Sequence, residues 1–154
     1  MYNKLRVLSL ACFLLPVFTV ITSYILSINL NLAPSCIPNL EGCTSISRVG
    51  RYEPVKYFFK PMMYIYSFSI LLFWIFFSQK LNNNGIKCKY LIILSLITVI
   101  FLCLYITFLG ESKFYSFFKR VGIYLYILSI IFLQFSSNRF IIENKSKLLK
   151  SFRI

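Results

Sequence analysis

YLIILSLITVIFLCLYITFL, residues 90–109, decides how this chain is read. Twenty consecutive residues carry no charge, and as a helix they reach about 30 Å, the hydrocarbon thickness of a bilayer. A surface helix of a soluble domain would show an apolar stripe opposite a polar face. Here every face is apolar, so the segment reads as a membrane span.

Working outward, three further segments read the same way. Residues 7–26 (VLSLACFLLPVFTVITSYIL) are again 20 uncharged residues, with Pro16 in mid-span, where it removes one backbone donor and predicts a kink. Lys4 and Arg6 precede this run as they would in a signal peptide. The apolar stretch is too long for a signal h-region, so it reads as a retained first helix. Residues 61–77 (PMMYIYSFSILLFWIFF) form a second span, with Pro61 placed where a first helical turn tolerates it. The fourth, residues 121–137, is short, and Phe117 and Phe118 extend it while Lys119 and Arg120 snorkel toward phosphates. The expected fold is therefore all-α, a single transmembrane domain built as a four-helix integral membrane bundle. Residues 27–60 form the long exterior loop, and 138–154 form a basic tail along the anionic membrane surface.

Composition agrees. The hydrophobic fraction is 58%, above the roughly 45–50% of soluble domains. Seventeen Lys and Arg face four acids, all Glu, and there is no Asp and no His. That removes Ser-His-Asp catalysis, histidine metal sites and Asp-built phosphotransfer motifs. No cofactor or metal is implied. The basic residues sit between apolar spans, as topology signals do, rather than on one face of a soluble module, so nucleic acid is not the expected partner.

Four spans put both termini on one side, and the positive-inside rule chooses which. Ten Lys and Arg fall on the terminal side and seven on the other, which places both termini in the cytoplasm. Cys36 and Cys43 would then share the oxidising side, where a disulfide could close the loop around Pro38 and Gly42. No Cys spacing suggests a metal.

Within the four spans there is no charged side chain, which argues against an ion-coupled transporter acting alone. The Ser and Thr residues there are expected to bond their own helix or a neighbour. The functional candidates lie at the exterior ends. Arg48, Arg51 and Tyr52 surround Gly50, while Lys119 and Arg120 open the fourth span. If the two connections meet, these side chains would form a cationic shelf for lipid headgroups, since Arg presents bidentate donors to phosphate. The plainer alternative makes them helix-end anchors paired with Glu41, Glu53 and Glu111.

The segment ISRVGRYEPVKYFFKPM, residues 46–62, carries a resemblance. Ile46, Ser47, Gly50, Pro54, Phe59 and Met62 are spaced as in the signature after the first helix of the damage-regulated autophagy modulator (DRAM) family. That family groups with the yeast Sfk-type proteins and the GPI-anchor lipid-remodelling factors. The resemblance implies a multi-span protein tied to lipid or membrane organisation, and it carries over no catalytic residue. Relatives commonly have five or six spans against four here, and Arg48 stands where an Asp often follows the Ser.

The functional expectation is a small polytopic protein that interacts with lipids, anionic phospholipid among them, or organises the membrane. One alternative is an accessory subunit bound to a membrane protein partner. Another is a membrane-embedded lipid-modifying enzyme, for which Ser47, Tyr52 and Glu53 are the clustered candidates.

The topology has a direct test. With the five native cysteines replaced by serine, an impermeant thiol reagent on intact cells should label Asn39→Cys and Ser112→Cys but not Asn83→Cys. Labelling of Asn83→Cys alone would invert the orientation.

Overall fold

The computed structural model describes residues 2–35, 45–83, 89–110 and 116–143, and among them all regular secondary structure is helical. Five helices follow in order: α1 (Tyr2–Asn29), the single-turn α2 (Ile46–Val49), α3 (Val55–Asn83), α4 (Lys89–Thr107) and α5 (Ser116–Glu143). The four long ones are each long and apolar enough to cross a membrane.

Three helices extend beyond the apolar runs that mark them, α1 at both ends of residues 7–26. α3 begins at Val55, so Pro61 lies in its second turn rather than its first. Pro54 sets the start instead: the Tyr52 and Pro54 carbonyls accept from the Lys56 and Tyr57 amides at 2.8 and 3.0 Å. α5 runs on to Glu143, carrying Arg139 and Phe140 past the end of the apolar segment. Helix propagation needs only the next hydrogen bond, so it does not stop where hydropathy falls.

α1 packs on α3, α3 on α4, and α4 on α5, while α2 rests against α1. The contacts at the ends show that neighbours run antiparallel. The start of α3 meets the end of α4 where Lys60 Nζ donates to the Thr107 carbonyl at 2.9 Å. The α4–α5 turn is bracketed by Phe108 and Phe118, stacked at 5.5 Å. At the opposite end Tyr90 and Phe140 meet edge to face at 6.3 Å. The molecule thus has a loop end, holding α2 and the start of α5, and a terminal end, holding the start of α1 and the end of α5.

The interior is unusual for what it buries. Along α3 the covered stripe is Phe59, Met63, Tyr66, Ile70 and Trp74, at three- and four-residue steps. Yet every buried polar residue among those described is Ser or Thr, including Thr19, Ser23, Ser95 and Thr98 at 0–1% exposure. Phe13, at 68%, and Phe135, at 65%, face outward. A water-soluble fold reverses that preference. In lipid it follows, because tails are as apolar as Leu, and small residues let helices approach.

Of the described glycines, Gly122 has the tightest surroundings. A Cβ there would lie 2.8 Å from Leu104 Cδ2, 3.0 Å from the Tyr105 backbone nitrogen and 3.2 Å from the Phe101 carbonyl oxygen. Two of those three atoms are backbone and cannot rotate away. Gly122→Ala should therefore lower stability by about 1–3 kcal/mol, read as a reduced Tm in detergent. Ile127→Ala, on the outward face of the same helix, should leave Tm nearly unchanged. Equal Tm for the Gly122 variant and the parent would contradict the α4–α5 approach.

Candidate functional site: cations at the loop end

The loop end is held by residues 45–60. Ser45 starts α2, its carbonyl accepting from the Arg48 and Val49 amides at 2.9 and 3.1 Å. Val49, Val55 and Phe59 are buried at 1–3% exposure, which pins the segment to the helices beneath it. Gly50 makes this closure fit, because a Cβ at that position would sit 3.0 Å from the Phe59 ring. The spacing between Gly50 and Phe59 thus has a physical cause, a glycine on the face of a buried aromatic ring.

The cations of this end do different work. Lys60 sits at the end of α4, donating to the Thr107 carbonyl. Tyr64 Oη and Thr107 Oγ1 lie 2.9 Å apart beside it, and Thr107 Oγ1 bonds back to the Cys103 carbonyl at 2.7 Å. A cation there satisfies an orphan carbonyl and complements the negative end of the macrodipole. Lys56 runs along Gly110, which adopts φ +86° to close the helix end. Arg48 donates through Nε to Tyr52 Oη at 3.0 Å.

Arg51, Lys119 and Arg120 form a separate group. Arg51 and Arg120, both exposed, each repel Lys119 electrostatically. Arg51 also acts electrostatically on Tyr105, near the end of α4. Arg51 thus shares an electrostatic neighbourhood with Lys119 although two long helices separate them in sequence. The fold joins Arg48 to Tyr52 instead.

This grouping is electrostatically costly. Lys119 and Arg120 lie in and just past the first turn of α5, which contains no acidic residue. A helix N-terminus carries the equivalent of about half a positive charge, so cations there are disfavoured by about 0.3–1 kcal/mol. Each further cation adds to the repulsion. Over the whole loop side, seven Lys and Arg face only Glu41, Glu53 and Glu111. The end is net positive whatever pairs form.

Of the enzymatic candidates, Tyr52 Oη accepts from Arg48 and Glu53 is exposed, while the Ser47 side chain lies outside the described residues. So do Cys36, Cys43 and any disulfide between them. Among the described residues no group of three or more His, Cys, Asp or Glu gathers as metal ligands would.

One polar contact was missed by reading spans as uniformly apolar. Tyr66 of α3 and Tyr126 of α5 share a hydrogen bond of 3.0 Å at mid-height. Cys12 of α1 packs against the same buried cluster as these tyrosines. Three helices meet there. The available signal was position, since both tyrosines sit far from the interfacial belts where Tyr is usual. No protein-family model, curated protein or solved structure matches this chain.

Proposed function

We propose that this chain is a lipid-interacting, membrane-organising protein whose loop end binds anionic headgroups through Arg51, Lys119 and Arg120, with Arg48 and Tyr52 at the margin. The observation that supports it is the repulsion that Arg51 and Arg120 both exert on Lys119 at the positive end of α5. Helix stability does not favour cations there, whereas a phosphate shared among them offsets both the dipole and their mutual repulsion. Phospholipid headgroups are the most abundant anions at that depth of a membrane. Arg supplies the bidentate geometry for phosphate, and Lys a point charge. The resemblance of residues 46–62 to the DRAM-related group points the same way, toward lipid organisation. In this reading the termini are cytoplasmic and the shelf faces the other leaflet.

The test is retention of lipid by the full chain purified in mild detergent. Arg51→Gln and Arg120→Gln should each reduce bound anionic phospholipid, by about five-fold for a contribution of about 1 kcal/mol per cation. The double variant should lose little more than either single one, because both break one clamp. Independent, additive losses would leave only helix-end anchors. A stoichiometric protein in place of phospholipid would assign the chain to a larger complex as an accessory subunit.

A further inference from the structure

At the terminal end, α1 and α3 leave a groove of about 540 Å³ between them. Its walls are built by two antiparallel faces that change character in the same direction. On α1, Leu10 gives way to Ser9 and then to Arg6 and Leu5 toward the helix start; on α3, Phe73 and Phe77 give way to Lys80 toward the helix end. Both cations of the groove therefore sit at one end, beside Leu5, and the other end is apolar.

The apolar end is flat as well as greasy. Phe73 and Phe77 stack with ring centroids 5.9 Å apart and planes only 13° from parallel. Trp74 braces them, edge-on to Phe73 at 5.3 Å and to Phe77 at 5.6 Å. From Lys80 to Phe73 the helix rises about 10 Å, well into the roughly 15 Å of one hydrocarbon leaflet.

We propose that this groove is a second phospholipid site, taking the phosphate of an anionic lipid between Arg6 and Lys80 and laying an acyl chain along Leu10, Phe73 and Phe77. It is separate from the loop-end shelf, at the opposite end of the helices, and does not depend on that reading. Charge decides among the occupants. The chain's own residues 144–154 bring four Lys and Arg and no Asp or Glu, so they are repelled from a cationic mouth. A second copy would present the same basic ends. An amphiphile with one anionic head matches both halves of the groove.

The experiment uses the full chain in nanodiscs of phosphatidylcholine containing a minor fraction of phosphatidylglycerol, extracted and analysed by lipid mass spectrometry. Arg6→Gln and Lys80→Gln should each lower phosphatidylglycerol retention by about five-fold. The control Lys89→Gln removes an exposed terminal-end charge that does not line the groove and should change retention little. Leu10→Trp keeps both cations, fills the groove from an exposed position and should lower retention as strongly. Losses should add to those of Arg51→Gln, since the two sites are at opposite ends. An equal loss in Lys89→Gln would reduce the effect to net charge and overturn the site. Full retention in Leu10→Trp would overturn the acyl-chain seat, and loss of self-association in its place would give the groove to a second copy. Displacement of phosphatidylglycerol by millimolar inorganic phosphate would make this an anion site rather than a lipid site.

Discussion

A backbone crossing hydrocarbon must satisfy its own hydrogen bonds, and each group left unsatisfied costs several kcal/mol. The long helices follow from this constraint. α1 stays helical through Pro16 and α3 through Pro61, although each proline removes one donor from the ladder. Several side-chain hydroxyls obey the same rule, whereas the buried Ser23 and Ser27 hydroxyls find no hydrogen-bond partner among the described residues. Thr19 donates to the Leu15 carbonyl at 2.7 Å, Ser69 to Ile65 at 2.9 Å and Thr98 to Leu94 at 2.9 Å. Bonded back to its own helix, a hydroxyl can be buried or face lipid without carrying an open donor. The helix ends, where the ladder runs out, need other partners. α1 closes with Asn31 at φ 55° and the Leu32 and Ala33 amides on the Ser27 carbonyl, whereas α4 closes on Lys60.

Once the backbone is internally satisfied, hydrophobicity no longer distinguishes inside from outside. Contact quality does. Gly122 admits the α4 backbone, and Thr19, Ser23 and Ser27 lie on one face of α1 at four-residue steps, all at most 1% exposed. Small side chains there allow dispersion contacts that bulky ones would prevent. Phe, Ile and Leu are left to face the tails, as Phe13, Phe18, Phe132 and Phe135 do. The Tyr66–Tyr126 hydrogen bond then links α3 to α5, which lie on opposite sides of α4 in the packing order.

The existence of four membrane-length helices was legible because the signal is length without charge. The buried faces were not, because a helix apolar on all sides has no stripe to read. Ser and Thr at three- and four-residue spacing, as at Ser95 and Thr98, mark them better than Leu does. Gly122 is hard to read from sequence because a lone glycine makes no small-xxx-small pattern, yet its neighbours include backbone atoms of α4. The candidate cations were legible as types but not as roles. Lys60 reads as another basic residue at a span boundary, and only the antiparallel meeting of α3 with α4 makes it a helix cap.

That sorting of the cations is what gives the two ends of the molecule meaning. A Lys at the end of a helix, as Lys60 is for α4, sits where the macrodipole is negative and needs no ligand to explain it. Lys119 and Arg120 at the start of α5, and Arg6 near the start of α1, sit where the dipole opposes them. Bilayer phosphates offer a general reason for cations at any span boundary. Arg51, from a different segment, adds its charge to the field at Lys119 while remaining exposed itself. Its amide bonds to the Arg48 carbonyl at 3.1 Å. The buried anchors on either side, Val49 and Val55, fix where that turn lies. Burial of its neighbours thus sets where Arg51 lies, and the repulsion it exerts on Lys119 is a cost that this burial offsets.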